Sequence, residues 1–325
     1  MSYSPGISVV VPVYNSQGTL EALVRGVERV LSREQIDFEM ILVNDCSRDN
    51  SWEVIQELCE LYPWVYGVNL MRNFGQHNAL LCGIRMARYD ITVTMDDDLQ
   101  HPPEEIIKLL DKLDEGYDVV YGTPKQEQHN LFRNLASQIT KLVLQKAMGA
   151  KVARNISAFR VFRSIVTQSF SHYQSTFVSI DVLLTWGTTR FAAIPVRHEP
   201  RRIGVSNYTL SKLIVHTLNM MTGFSVLPLQ LATYAGFGFT LFGFIVLIYV
   251  IGSYFIAGSS VQGFPFLASI IAIFSGAQLF SLGIIGEYLS RMFFRTMEKP
   301  PYVVRTQINQ KQPLNPLILF EAEER

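Results

Sequence analysis

Residues 91–105 read ITVTMDDDLQHPPEE. Ile91–Met95 is an uncharged run that ends directly on Asp96-Asp97-Asp98. Pro102-Pro103-Glu104-Glu105 then begins a helix, with proline and acids in the first turn, where both are favoured. The stretch therefore reads as a buried strand, an acidic exit and a helix, which is half of a βαβ unit.

The same unit recurs upstream. Ile7–Val13 (ISVVVPV) is a continuous β-branched run of the kind a parallel strand buried on both faces requires. Ser16–Leu31 follows with Leu20, Leu23, Val24, Val27 and Leu31 at helical spacing. Phe38–Val43 is a second strand, ending at Asn44-Asp45, and Asp49-Asn50-Ser51 caps the next helix. Val65–Leu70 is a third strand, followed by a helix over Gln76–Ala87, and Val119–Gly122 is a fifth strand beyond the acidic stretch. This alternation predicts an α/β domain with a doubly wound, Rossmann-like parallel sheet. Ligands bind such sheets at the carboxyl ends of the strands. That rule selects Pro12–Asn15, Asn44–Asp49, Arg72–Gln76 and Asp96–Gln100.

Within the acidic exit, Asp96, Asp98 and Gln100 project to one side of an extended chain and Asp97 to the other. Two carboxylates and an amide oxygen suit a hard divalent cation, Mg²⁺ or Mn²⁺.

The 325 residues carry 28 basic and 28 acidic side chains, so the formal net charge is zero and argues against nucleic-acid binding. Charged residues are 17% of the chain, against about 25% in soluble domains. The deficit is local, because no Asp, Glu, Lys or Arg occurs between Lys212 and Glu287. Leu231–Ile256 and Phe264–Gly286 are apolar runs joined by the uncharged AGSSVQG. At about 1.5 Å per helical residue, each is long enough for a hydrocarbon core about 30 Å thick. The expectation is a two-helix transmembrane hairpin in the bilayer. Arg201, Arg202 and Lys212 precede it and Arg291, Arg295, Lys299 and Arg305 follow, which places both termini and the catalytic domain in the cytoplasm. Small residues Ala232, Gly236, Gly243, Gly276 and Gly283 suit close helix packing or are ordinary membrane glycines. Tyr208–Gly223 has helical apolar spacing and reads as an interfacial helix. The expected division is residues 1–207 catalytic, 208–230 interfacial connector, 231–287 hairpin and 288–325 cytoplasmic tail. Cys46, Cys59 and Cys82 fit neither a disulfide framework nor a zinc site and read as reduced thiols. The N-terminus has no signal-peptide pattern.

VPVYN at 11–15, NDCSRDNS at 44–51, RNFGQHNAL at 72–80 and DDDLQHPPEE at 96–105 resemble glycosyltransferase family 2, with the GT-A fold. Within it they look like the polyprenyl-phosphate glycosyltransferases of the bacterial inner membrane, and the resemblance covers nearly the whole chain. It implies that Pro12, Tyr14 and Asn15 line a nucleotide pocket and that Asp45 bonds the base or ribose of a UDP-sugar. Arg72, Asn73 and Asp97 would lie by the donor, and Asp96, Asp98 and Gln100 would bind the metal. Arg133 and Ser137 match a family Arg-x-x-x-Ser, and Arg160 and Arg201 match further family arginines suited to phosphate, with Arg202 a competitor for the role of Arg201. The partners implied are a nucleotide-sugar donor, polyprenyl phosphate and a second copy of the chain as a homo-oligomer.

The chain departs from the family pattern at Ser16, at Cys46 where glycine is usual, and at Asn207 where lysine is usual. Asn155–Ala158 also lacks the Asp proposed as base in many relatives. A phosphate monoester is mostly dianionic at neutral pH, so the acceptor needs positioning and charge neutralisation rather than proton removal. Asp181 is a candidate substitute acid, a helix-surface residue or a sugar-hydroxyl ligand. The alternatives are another lipid or polysaccharide acceptor, or a non-catalytic membrane scaffold of the same fold.

Overall fold

The computed structural model describes residues 3–124, 156–199, 227–257 and 264–309. They fall into two compact units, Met1–Thr209 with Glu298–Arg325, and Leu210–Met297. The first unit runs β1 (Ser4–Val13), α1 (Leu20–Arg33), β2 (Phe38–Asn44), α2 (Ser51–Leu61), β3 (Val65–Leu70), α3 (Gln76–Met86), β4 (Tyr89–Thr94), α4 (Glu105–Asp114) and β5 (Val119–Pro124). It continues with β6 (Arg160–Arg163), a 3-10 helix (Ser164–Phe170), α5 (Ile180–Gly187) and β7 (Phe191–Val196), and closes with β8 (Val304–Ile308).

The strands form one sheet in the order β7-β5-β6-β4-β1-β2-β3-β8. β4, β1, β2 and β3 are mutually parallel, and β5 is parallel to β7. β6 runs antiparallel between β4 and β5, and β8 antiparallel on β3. The all-parallel sheet expected from the alternation is thus corrected to a mixed one. Its parallel core nonetheless has the 3-2-1-4 arrangement of a dinucleotide-binding half, with the topological switch between β1 and β4.

β1 lies at the centre. Val9, Val10, Val11 and Val13 are fully buried between α1 on one face and α3 on the other. Each such valine contributes about 1.5–3 kcal/mol by leaving water. Gly83 of α3 faces this strand so closely that an added Cβ would lie 2.4 Å from Val10 Cγ1. The buried face of α1 includes Leu20, Leu23, Val24, Val27 and Leu31, the set its spacing marked.

One helix start differs from expectation, and a second begins where expected, with Asp49 rather than Asn50 as the acceptor. α1 begins at Leu20 rather than Ser16, because Ser16–Thr19 is a turn closed by Thr19 N donating to Ser16 O at 3.0 Å. The Asn50 side chain makes no cap bond to α2; instead Asp49 Oδ1 accepts from Ser51 N at 3.1 Å and from Ser51 Oγ at 2.6 Å.

The second unit contains α6 (Leu227–Ala257) and α7 (Phe264–Thr296). The segment Leu229–Tyr249 in α6 is long and apolar enough to cross a membrane, the one such segment among the described residues. α6 and α7 meet where the Phe239 and Phe274 rings pack edge-on at 5.6 Å and Gly243 faces Phe274. At Gly236, Gly276 and Gly283 an added Cβ would have no neighbour within 4 Å. The interfacial segment Tyr208–Gly223 lies outside the described residues.

Candidate active site

The exits of the parallel strands are tied into a closed circuit. At the β1 exit, Tyr14 N donates to Asp97 Oδ2 at 3.0 Å, which joins β1 to β4. Asn15 N donates to Ser47 Oγ at 3.0 Å and Asn15 Oδ1 accepts from Arg48 N at 2.7 Å, which joins β1 to β2. Asp45 Oδ1 accepts from Phe74 N at 2.7 Å and Oδ2 from Gly75 N at 2.8 Å, which joins β2 to β3. Gln76 Nε2 donates to Asp96 Oδ1 at 2.6 Å, which joins β3 back to β4. The segments selected by the strand-end rule are thus brought together by their own polar groups.

The circuit holds unusual backbone. Asn15 (φ 55°), Cys46 (φ 57°) and Leu99 (φ 59°) are left-handed without being glycine, and each sits just beyond a strand of the circuit. At Cys46 and Leu99 this costs about 1–2 kcal/mol each, less at Asn15, whose side chain tolerates it, and such strain gathers at functional sites. Cys46 has the conformation that the usual glycine would adopt without cost.

Burial raises the Asp45 carboxyl, against the Phe74 and Gly75 N–H groups and Arg72, which lower it. Burial likewise raises Asp97, assisted by the Asp98 charge and opposed by Ser16 and Tyr14 N–H. Asp97 faces the β1 exit, where Tyr14 N meets it. Asp98 is buried, and its Oδ1 accepts from Gln100 N at 3.1 Å. The Gln100 amide nitrogen donates to Glu199 O at 3.5 Å. Among the described residues no three His, Cys, Asp or Glu side chains converge on one point. The residues expected from the sequence, Asp96, Asp98 and Gln100, carry oxygen donors only, and that chemistry fits a hard divalent cation rather than a thiolate- or imidazole-bound one.

His101 lies under this loop, and neither of its ring nitrogens has a hydrogen-bond partner. The ring stacks on Phe159 at 5.1 Å and meets His198 at 5.0 Å. Burial, reinforced by His198 and opposed by Asp98, lowers it to about 4, so it is neutral at ordinary pH.

The family-2 glycosyltransferase model matches residues 8–170. The undecaprenyl-phosphate 4-deoxy-4-formamido-L-arabinose transferase of Pectobacterium carotovorum is 32% identical over 323 residues, covering 98% of this chain and 98% of the relative. The protein of the same name from Edwardsiella ictaluri is 33% identical, covering 94% and 95%. The chain belongs to glycosyltransferase family 2. Glucosyl-3-phosphoglycerate synthase from Mycobacterium tuberculosis, solved with Mn²⁺, uridine diphosphate and glucosyl-3-phosphoglycerate, matches with a TM-score of 0.50 and 16% identity. It covers 67% of this chain and 78% of that structure, a likeness of fold, and the fold is the GT-A, Rossmann-like one.

In this glycosyltransferase, Pro12 is buried within β1, whereas Tyr14, Asn15, Arg72 and Asn73 are exposed at the strand exits. The Arg72 guanidinium lies 4.4 Å over the Phe74 ring. Arg160 and Asp181, read separately from the sequence, are paired with each other. Arg160 is buried, and its Nη1 donates to Asp181 Oδ1. Its Nε donates to Thr94 Oγ1 at 3.0 Å, at the base of the acidic loop. Tyr121 Oη donates to the same Asp181 oxygen at 3.0 Å. Arg133, Ser137, Arg201 and Arg202 lie outside the described residues, as does Asn155.

Sequence reasoning passed over the return segment before β8. Val303 O accepts from Met71 N at 2.9 Å, Arg305 Nη2 donates to Met71 O at 3.4 Å, and Pro301 O accepts from Asn78 Nδ2 at 2.7 Å. These bonds bracket the loop carrying Arg72 and Asn73. The only signal was the apolar pair Val303-Val304, too short to read as a strand.

Proposed function

We propose that the enzyme is an inverting glycosyltransferase that moves a sugar from a uridine diphosphate sugar to polyprenyl phosphate at the cytoplasmic face of the bacterial plasma membrane. What carries the reading is that the 98% coverage by a relative named for undecaprenyl phosphate extends beyond the catalytic sheet through α6 and α7. The likeness therefore includes the part that would meet a lipid.

Pro12, Tyr14, Asn15 and Asp45 would form the nucleotide end of the site, and Arg72 and Asn73 the diphosphate end. Asp96, Asp98 and Gln100 would hold Mg²⁺ or Mn²⁺. When bound, the ion would neutralise the diphosphate and assist its departure as a Lewis acid. A phosphate oxygen of the acceptor attacks the anomeric carbon from the face opposite the nucleotide. The carbon–oxygen bond to the nucleoside diphosphate breaks, and the diphosphate takes the electron pair. The acceptor dianion needs no base, which accords with Asp181 being engaged by Arg160 rather than free. Arg133, Ser137, Arg201 and Arg202 are assigned to phosphate by resemblance, and Arg160 supports the acidic loop from beneath.

The membrane topology has a separate support. β8 follows α7 and pairs with β3, so residues on either side of the helical unit share one sheet and one compartment. The intervening chain must then cross the membrane an even number of times. With α6 as one span, α7 would be the return, which supports a hairpin over 231–287; the Lys and Arg residues that flank it support the cytoplasmic side.

The test is transfer of label from a panel of uridine diphosphate sugars to undecaprenyl phosphate, with Mn²⁺ or Mg²⁺ and with chelator. Label in the lipid phase that chelator abolishes is the expected result. Absence of lipid label with every sugar, where a relative works alongside, overturns the acceptor assignment.

A further inference from the structure

We infer that Gln76 is a positioning residue for Asp96 and sets the affinity of the acidic loop for a divalent cation. The inference rests on the reading of Asp96, Asp98 and Gln100 as cation ligands. Gln76 is the first residue of α3, and its Nε2 donates to Asp96 Oδ1 at 2.6 Å. The base from which it reaches is fixed. Gly75 N donates to Asp45, and Gly75 O accepts from Asn78 N at 3.0 Å and Ala79 N at 3.1 Å. The Asn78 side chain is anchored in turn on Pro301 O and Thr176 O. Gln76 therefore presents its amide from a helix start held on both sides.

The chemistry of the donor matters. A carboxylate on an extended loop rotates about two bonds, and a cation gains affinity when that rotation is already restricted. A Lys or Arg at this position would also fix Asp96, but as an ion pair that cancels the charge the cation needs. A neutral amide N–H orients the carboxylate and leaves its charge in place. Loss of such an outer partner typically costs 10–100-fold in metal affinity. Gln76 is exposed, so water replaces part of its bond, and the lower end, about 10-fold, is expected here.

The test is Mn²⁺ binding to the full chain in detergent, read from the electron paramagnetic resonance of free Mn²⁺, with thermal unfolding measured on the same samples. Wild type, Gln76→Ala, Gln76→Lys and Asp96→Asn are compared. Gln76→Ala is expected to weaken Mn²⁺ about 10-fold and Gln76→Lys further, both without a shift in melting temperature. The Mn²⁺ concentration for half-maximal transfer should rise by the same factor. Loss of binding in Asp96→Asn with unchanged binding in Gln76→Ala overturns the inference and leaves the cation site standing. A fall in melting temperature that accompanies the weaker binding assigns Gln76 a structural role and also overturns it. Binding unaffected by Asp96→Asn, or absent in wild type, removes the cation site and the inference with it.

Discussion

Replacing Asp45 by Asn tests whether the strand-exit circuit orders the donor site. The carboxylate is 3% exposed and accepts one backbone N–H on each oxygen, from Phe74 at 2.7 Å and Gly75 at 2.8 Å. Asparagine keeps one acceptor and turns an NH₂ toward the other N–H. The loss of one charge-assisted bond costs about 1.5–3 kcal/mol. Burial already opposes the charge, as the raised pKa records, so removing the charge returns part of that. A net cost of about 1–2 kcal/mol remains. It falls on the loop that carries Arg72, Asn73 and Gln76. At about 1.4 kcal/mol per tenfold, the donor KM should rise roughly 5- to 30-fold, measured with acceptor saturating. Gly75→Ala is the matching perturbation. Gly75 has φ +94° and nothing within 4 Å of an added Cβ, so alanine there adds backbone strain and no clash. Both variants should raise the donor KM, because both loosen one loop. A donor KM within twofold of wild type in Asp45→Asn, with normal thermal unfolding, would refute the strut. A changed nucleotide preference in Asp45→Asn that Gly75→Ala does not reproduce would assign Asp45 to the base instead.

Cys46→Gly removes a side chain from a left-handed backbone and should raise stability by up to about 1 kcal/mol, seen as a higher melting temperature. Arg160→Ala should cost about 3–5 kcal/mol, because it leaves Asp181 buried without its partner; a chemical unfolding midpoint near wild type would contradict the pairing. Glu105 is buried, which alone would raise its pKa, but hydrogen bonds from Lys108 and Arg197 outweigh burial and lower it below 4.5. Its stabilising contribution is therefore full above pH 4.5 and lost as pH falls through the lower folded value. Glu105→Gln should flatten the melting temperature against pH on that acid side, and an unaltered slope would count against it.

The parallel strands β1 to β4 were legible because burial on both faces demands uninterrupted apolar runs, and Ile7–Val13 has one. β5 was legible from Val119–Gly122, but the strands after it lack that signature. β6 is RVFR, with charged ends, and β7 is FAAIPV, interrupted by proline. β8 is VRTQI, an edge strand with exposed polar residues, and it reaches β3 only after the chain has passed through α6 and α7. No local pattern announces a partner that far away. The site was legible at the level of segments, since short polar stretches directly after buried strands mark the functional edge. The bonds between those segments were not, because each joins residues whose spacing carries no period. Gln76 lies in the RNFGQHNAL stretch, yet only the fold brings its amide to Asp96.

The pairing of Arg160 with Asp181 changes how positive charge is distributed over the site. An arginine buried against a carboxylate is neutralised, and its desolvation is offset only while that partner stays. Recruiting Arg160 to a phosphate would strand Asp181 and break the bond to Thr94. On the proposed reading, arginine charge that supplements the cation at the diphosphate would come from residues other than Arg160. Among the described residues Arg72 has the right place, exposed beyond β3 and steadied over the Phe74 ring, in the loop that Asp45 holds. A lysine there would keep the charge and lose the planar fork and the flat stacking contact. Arg72→Lys should consequently impair the donor step more than a conserved charge suggests, whereas Arg160→Lys should act first on folding. The two substitutions therefore test whether Arg72 meets substrate while Arg160 holds the floor beneath it.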